Sequence, residues 1–257
     1  MMELPQGHEV RGSVVAREGG LIHGNKLYSK FDSSKRVKKN GFNVTASSGA
    51  TGNFKREVDI SWLPAAAKTY NTSDDPRDYL ITEIPALTGE IPNKNLQRFS
   101  NRELLYFDPM HGRQIYKTFI GSGSHYEHQN KEPLKAKGII FDAAAIYIPR
   151  YDVIKVQLLV GWDRTKDRDL VRDIESGERD GYSMGSIVKQ FICSVSGQAV
   201  SPSGGKYKRG QIVSTRAGDK LCYHDCTGSF FFEISSVATP ADVSAIGENM
   251  GFFDLKV

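Results

Sequence analysis

The sequence has no apolar run long enough to cross a bilayer, for which about 20 consecutive apolar residues are needed. Between Met1 and Glu18 it also lacks the apolar stretch of a secretory signal. Cysteine is scarce. Cys193, Cys222 and Cys226 are the 3 in the chain, too few for a disulfide framework and in keeping with a reducing compartment. Tripeptides at Asn43 and Asn71 match a glycosylation sequon, but without a secretory signal they carry no weight. Neither sign of charge is in large excess. A net charge of +4 reads as a solvated surface rather than a nucleic-acid footprint. The expectation is a protein kept in a cytoplasm, with neither a membrane nor a specific nucleic acid as partner.

What is present is an ordinary globular composition. The 257 residues are 39% hydrophobic and 25% charged, enough to bury one large core, or one core with an arm. Residues 1–55 read as a flexible N-terminal arm, rich in Gly, Ser, Lys and Asn. They include the basic run Lys35, Arg36, Lys38 and Lys39 and a linker-like stretch from Ser47 to Gly52. Residues 56–257 read as the folded domain. Strands are predicted over 79–84, 104–107, 115–120, 138–148, 153–162, 183–195, 211–215 and 230–237. The 153–162 segment is apolar enough for burial on both faces. A helix is predicted over 167–176, with Leu170, Val171 and Ile174 on one face and Gly177 as its C-terminal cap. A terminal helix is predicted from Pro240, with Thr239 as N-cap. Strand follows strand with few helices, so the fold class is α+β and strand-dominated, a barrel or sandwich rather than an alternating sheet.

The chemistry gathers at a few places. Gly181-Tyr182-Ser183-Met184-Gly185 is a serine between glycines, suited to a sharp turn with an exposed hydroxyl. It matches the nucleophile elbow of α/β-hydrolases literally. That elbow, however, needs a strand before the serine and a helix after it, and here the predicted order is reversed. The hydrolase order would also call on His224, the one histidine after Ser183. A second polar segment, Ser122 to Asn130, holds His125 and His128 and reads as a loop between strands, where catalytic groups collect. Cys222-Tyr223-His224-Asp225-Cys226, with Cys193, offers a Cys₃His set chemically suited to zinc. Its spacing is not that of a standard finger, and unliganded thiols are the plainer reading. No cofactor and no metal are assigned.

Three blocks together resemble the prohead (capsid-maturation) serine proteases of tailed bacteriophages, distant relatives of the herpesvirus assemblins. The first is His125-Tyr126-Glu127-His128-Gln129-Asn130, followed by Lys137 to Ala143. The second is Ile174-Glu175-Ser176-Gly177, then Tyr182-Ser183-Met184-Gly185, with Cys193 to Gly197 beyond. The third is Phe232-Glu233-Ile234-Ser235-Ser236-Val237 and on to Asp242. The resemblance covers about residue 78 to the C-terminus. It departs from relatives with a C-x-x-C step after the serine strand, since Ser196 stands where the second cysteine would be. It implies an assemblin-like β-barrel with a few flanking helices. It also implies Ser183 as nucleophile, His128 as base with His125 as the alternative, and Glu233 as the third member. The backbone N–H of Met184 or Gly185 would help bind the oxyanion. The implied activity is a serine endopeptidase inside the immature head in a host cytoplasm, with scaffold and major capsid proteins as substrates and a homodimer left open. Cleavage after glutamate is implied too. Ala16-Arg17-Glu18-Gly19 looks like such a site, which would make the arm a propeptide. Two rivals stand beside this reading: an inactive scaffold or capsid-core protein of the same fold, and a hydrolase of another class using Ser183 with His224.

Overall fold

The computed structural model describes residues 56–238 continuously. Before them it describes the backbone of short strands at 8–10, 17–18, 20–23, 26–29, 36–39 and 42–46. Six strands make the body: β1 (Tyr79–Thr88), the short β2 (Gly123–Tyr126), β3 (Gly138–Ile148), β4 (Val153–Asp163), β5 (Tyr182–Cys193) and β6 (His224–Ser236). They pair in the order β5-β6-β2-β3-β4-β1. Every neighbour pair is antiparallel except β6 with β2, which run parallel. The sheet is therefore mixed and strand-dominated, as the run of strand signals indicated. It curls until β1 comes alongside β5, and Trp162 on β4 lies 6.2 Å from Tyr182 on β5, ring centre to ring centre. Among the described residues no ladder closes this path into a ring. The closed assemblin-like barrel is thus not what the pairing forms.

Alternation along each strand divides the side chains between two faces. The inner face carries the larger core, with Ile84 on β1, Val156, Leu158, Val160 and Trp162 on β4, Tyr182 and Met184 on β5, and Phe231 and Ile234 on β6. The outer face of β1, β3 and β4 carries Ile81, Ile139, Phe141 and Leu159, covered by helix α1 (Leu63–Tyr70) through Leu63. Strand β4 is buried along its whole length, as its unbroken apolar sequence suggested.

Helix α3 (Arg168–Ser176) forms where the periodicity places it. The Asp167 carboxylate accepts from the Leu170 N–H at 3.0 Å, Leu170, Val171 and Ile174 are buried, and Gly177 closes the helix at φ 81°. Two predicted strands are largely helical instead. Helix α2 (Asn101–Leu105) takes Leu104 and Leu105 of the 104–107 strand and leaves Phe107 to a two-residue strand with Asp108, and a 3-10 turn over Ile115–Phe119 replaces the 115–120 strand. Both runs are short enough to fit either period. Ser100 decides the first by accepting from the Glu103 N–H at 3.0 Å, an N-cap that only a helix rewards. The predicted terminal helix from Thr239 and Pro240 and the 47–52 linker lie outside the described residues.

Candidate active site

Register brings the three sequence blocks together on β5, β6 and β2. Ser183 pairs with Ser235, and Ser235 pairs in turn with His125. The next row is Gly185, Glu233 and Gly123. Partners in register share a face. Ser183, Ser235, His125 and Glu233 therefore all lie on the outer face, opposite Tyr182 and Met184, which enter the inner core.

Glu233 reaches this face because of a bulge. The ladder shifts between Gly185/Glu233 and Ser186/Phe231, so Phe232 is the extra residue. Without it, Glu233 would share a face with Phe231, two places away, and point into the apolar core. The bulge leaves Phe231 inside and turns the carboxylate out, a common use of such irregularities.

The two glycines of the second row make room for what their neighbours carry. A Cβ on Gly185 would sit 2.6 Å from both Cγ and Oε1 of Glu233, and one on Gly123 would sit 2.9 Å from Nε2 of His125 and from the Tyr70 ring of α1. The glycine after Ser183-Met184 therefore admits the Glu233 side chain. The sequence suggests a turn at this step. No turn occurs there, since Ser183 is the second residue of a long strand and is fully buried.

Both carboxylate oxygens of buried Glu233 are engaged. Oε1 accepts from Asn130 Nδ2 at 3.0 Å and lies 3.5 Å from His128 Nδ1, and Oε2 accepts from the Ser235 hydroxyl at 2.7 Å. The His128 contact is within ion-pair reach but longer than a good hydrogen bond. A buried carboxylate needs such partners, because leaving one unpaired costs several kcal/mol, roughly.

His128 stands in a turn rather than in a long loop. The Ser122–Asn130 segment was expected to be a loop, yet β2 occupies Gly123–Tyr126 and places His125 in the sheet. Glu127 and His128 then adopt left-handed backbone, φ 45° and 56°, which is strained for non-glycine residues. Several bonds hold it. The Glu127 N–H donates to Ser236 O and the Gln129 N–H to Tyr126 O. The Glu127 carboxylate accepts from Arg179 Nη1 at 3.1 Å and from the Ala238 N–H at 2.9 Å. Arg179 also donates to the Tyr126 hydroxyl and lies over its ring.

The two histidines differ in setting. His125 is buried, with Nε2 close over Gly123. Burial holds its imidazole below the ordinary value, the Glu233 charge and the Gln129 backbone oppose this, and the His128 charge adds to the lowering. Neighbouring strands are about 4.8 Å apart, so His125 and Ser183, two strands apart, have backbones separated by roughly twice that. The side chain of His128 is about a third exposed (31%) and is the one beside Glu233.

The remaining candidates lie elsewhere. His224 pairs with Cys193, ten residues along β5 from Ser183, which at about 3.3 Å per residue is roughly 30 Å. The rival reading that joins His224 to Ser183 is therefore overturned by register. The Cys₃His reading is not realised either. Cys193 and Cys222 have their sulfurs 3.6 Å apart, but Cys226 belongs to the main core. Among the described residues no three His, Cys, Asp or Glu side chains are placed to hold a metal ion.

Backbone pairing also reaches the site from the N-terminal stretch. Residues 8–10 run antiparallel to β5 with Glu9 opposite Ser183, and Arg17–Glu18 pairs with β1 opposite Glu83 and Thr82. The glutamate of the suspected cleavage step is thus in a strand of the main sheet, while Ala16 and Gly19 lie outside the described residues.

Asn130, Ser235, Arg179 and Tyr70 were not singled out as site residues from the sequence. Asn130 and Ser235 did stand inside the quoted blocks, and that was the only signal for them. Compared with models of known families, with curated proteins and with solved structures, the chain gives no match.

Proposed function

We propose that the protein is a serine endopeptidase of the prohead-protease kind, with Ser183 as nucleophile, His128 as base and Glu233 as the acid that orients it. The observation that supports this most is the convergence of three sequence-distant blocks on one face of β5, β6 and β2. There Glu233 lies 3.5 Å from His128 and is one row from Ser183. In this reading His128 turns Nε2 onto the Ser183 hydroxyl, takes its proton as the hydroxyl attacks the scissile carbonyl, and returns it to the leaving amine. Glu233 accepts from Nδ1–H, fixes the tautomer and stabilises the imidazolium. Asn130 and Ser235 hold the carboxylate still. The N–H of Met184 or Gly185 would meet the oxyanion. The 3.5 Å contact leaves room for the pair to tighten as substrate binds.

Scaffold and major capsid proteins, the immature head within a host cytoplasm and a self-removed arm belong to the same proposal and rest on the resemblance. The test is co-expression with a scaffold protein carrying Ala-Arg-Glu-Gly steps, read beside the intact mass of the chain itself. Cleaved scaffold and a new N-terminus at Gly19 are expected from the wild type and from no Ser183→Ala sample. Equal cleavage by the two would overturn the assignment.

One observation favours the rival scaffold or capsid-core reading. Ser183 is fully enclosed, with residues 8–10 paired beside it, and a hydroxyl that never meets solvent cannot attack. If deletion of residues 1–19 leaves cleavage absent while the fold persists, that rival is preferred.

A further inference from the structure

The far end of the β5–β6 ladder holds a second group of reactive side chains. Cys193 ends β5 and pairs with His224, the first residue of β6. Between them residues 194–221 make an excursion, in which Ala199–Val200 pairs back onto Ile192 and Phe191 of β5 and a small hairpin joins Ile212–Thr215 to Gly218–Leu221. Cys222 stands at the return. Its sulfur is 3.6 Å from that of Cys193, and both residues are buried. A disulfide is about 2.05 Å long, so the two sulfurs need to approach by roughly 1.5 Å. Backbone bonds already fix both ends, with the Cys193 N–H on Gln198 O and the Cys222 N–H on Gln211 O.

The two thiols are not equivalent. Burial pushes Cys193 up. The Ser196 hydroxyl, the Ser196 and Val195 N–H groups and the Cys222 thiol all donate to its sulfur, and together they bring it below the ordinary thiol value. Burial, and the proton it shares with Cys193, push Cys222 up to about 11. Cys193 is thus the more easily ionised of the two, and a thiolate is the reactive form. Cys226 lies in the main core, where burial and the charges of Asp225 and Glu103 drive its thiol far up.

We infer that Cys193 and Cys222 form a thiol-oxidation site, closing to a reversible intrachain disulfide with hydrogen peroxide as co-reactant. The Cys193 thiolate attacks one peroxide oxygen. The S–O bond forms, the O–O bond breaks, and the departing hydroxide takes a proton and leaves as water. The Cys222 sulfur, having lost its proton, then attacks Cys193. The S–S bond forms, the S–O bond breaks, and the oxygen leaves protonated as a second water. Two thiols and one peroxide give one disulfide and two waters, with two electrons passing from sulfur to peroxide. The bond ties both ends of the 194–221 excursion to the ladder that carries Ser183 and Glu233. It stands independently of the protease proposal.

The test treats the full-length chain in native buffer with hydrogen peroxide, blocks remaining thiols with iodoacetamide and maps peptides by mass. The expected result is a loss of two hydrogens, one Cys193–Cys222 cross-linked peptide, Cys226 blocked only after unfolding, and full reversal by dithiothreitol. Cys226→Ala should behave as the wild type. Cys222→Ser should stop at a Cys193 sulfenic acid, captured by dimedone. A cross-link that includes Cys226, one that forms only in denaturant, or sulfinic acid on Cys193 beside an intact Cys222 overturns the inference. Should a serine variant fail to fold, the wild-type peptide map decides alone.

Discussion

The two ends of the β5–β6 ladder make the sharpest comparison in the molecule. Each end carries a histidine, a potential nucleophile and other polar groups, and each looked chemically loaded in the sequence. At the Ser183 end the groups converge. Glu233 engages Asn130, Ser235 and His128 at once, and a bulge at Phe232 with a glycine at Gly185 makes that possible. At the Cys193 end they do not converge around His224, neither of whose ring nitrogens has a hydrogen-bond partner. The contact between reactive groups there is that of the two thiols. Composition made the two ends look alike, and register separates them.

The largest expected effect tests that separation directly. Ser183→Ala should abolish peptide cleavage without unfolding the chain, because removing one hydroxyl costs little stability. His128→Ala should lower the rate by about 10³- to 10⁶-fold, the range seen when triad members are removed, while His224→Ala stays within a few-fold. His125→Ala should lose much less than His128→Ala. Cleavage rates of one peptide by the set decide it, and a dead His125 variant beside an active His128 variant would exchange their roles.

A smaller effect probes the packing that gives the first end its geometry. Gly185→Ala puts a methyl 2.6 Å from Glu233, so one of the two must move. The expected loss is about 1–3 kcal/mol of stability, as in other overpacked sites, with a rate loss larger than the stability loss explains. Urea melts beside rate measurements separate the two. Gly197→Ala, at a position where a methyl meets nothing within 4 Å but φ is +67°, should cost stability without touching the rate.

Acid should weaken both ends alike. Burial lowers the imidazoles of His125 and His224 below the ordinary 6.5, so the unfolded chain binds more protons than the folded one below that value. Stability is therefore full above about pH 6.5 and falls as the pH drops through it. His125→Asn and His224→Asn should each flatten the fall in urea midpoint between pH 7 and pH 5. The smallest effect is expected from Arg179→Ala, which loosens the strained Glu127–His128 turn from a partly exposed position. About 0.5–1 kcal/mol of stability and a several-fold rate loss are expected, visible as faster amide exchange at Gln129.

Much of the frame was legible in the sequence. β4 showed itself through an unbroken Val, Ile and Leu run, and α3 through Leu170, Val171 and Ile174 with Asp167 and Gly177 at its ends. The 104–107 and 115–120 segments mislead because four to six residues are too few to carry a period. The order of the three blocks pointed to one site, yet their meeting depends on which strands pair. A parallel β2–β6 contact between residues about 110 apart in sequence leaves no local trace. The bulge at Phe232 is equally silent, because three consecutive phenylalanines, Phe230 to Phe232, hide which of them is the extra residue. The glycine of the Ser-Met-Gly step reads as part of a turn in the sequence, but the neighbour needing its space is the Glu233 carboxylate.

The central claim is that Ser183 is a nucleophile activated by His128. Labelling with a serine-reactive phosphonate, on the intact chain and on one lacking residues 1–19, tests it most directly. A single adduct mapped to the Ser183 peptide, strong in the shortened chain and lost in its His128→Ala variant, is the predicted result. An adduct on another residue, or none in either chain while the fold is intact, would contradict it.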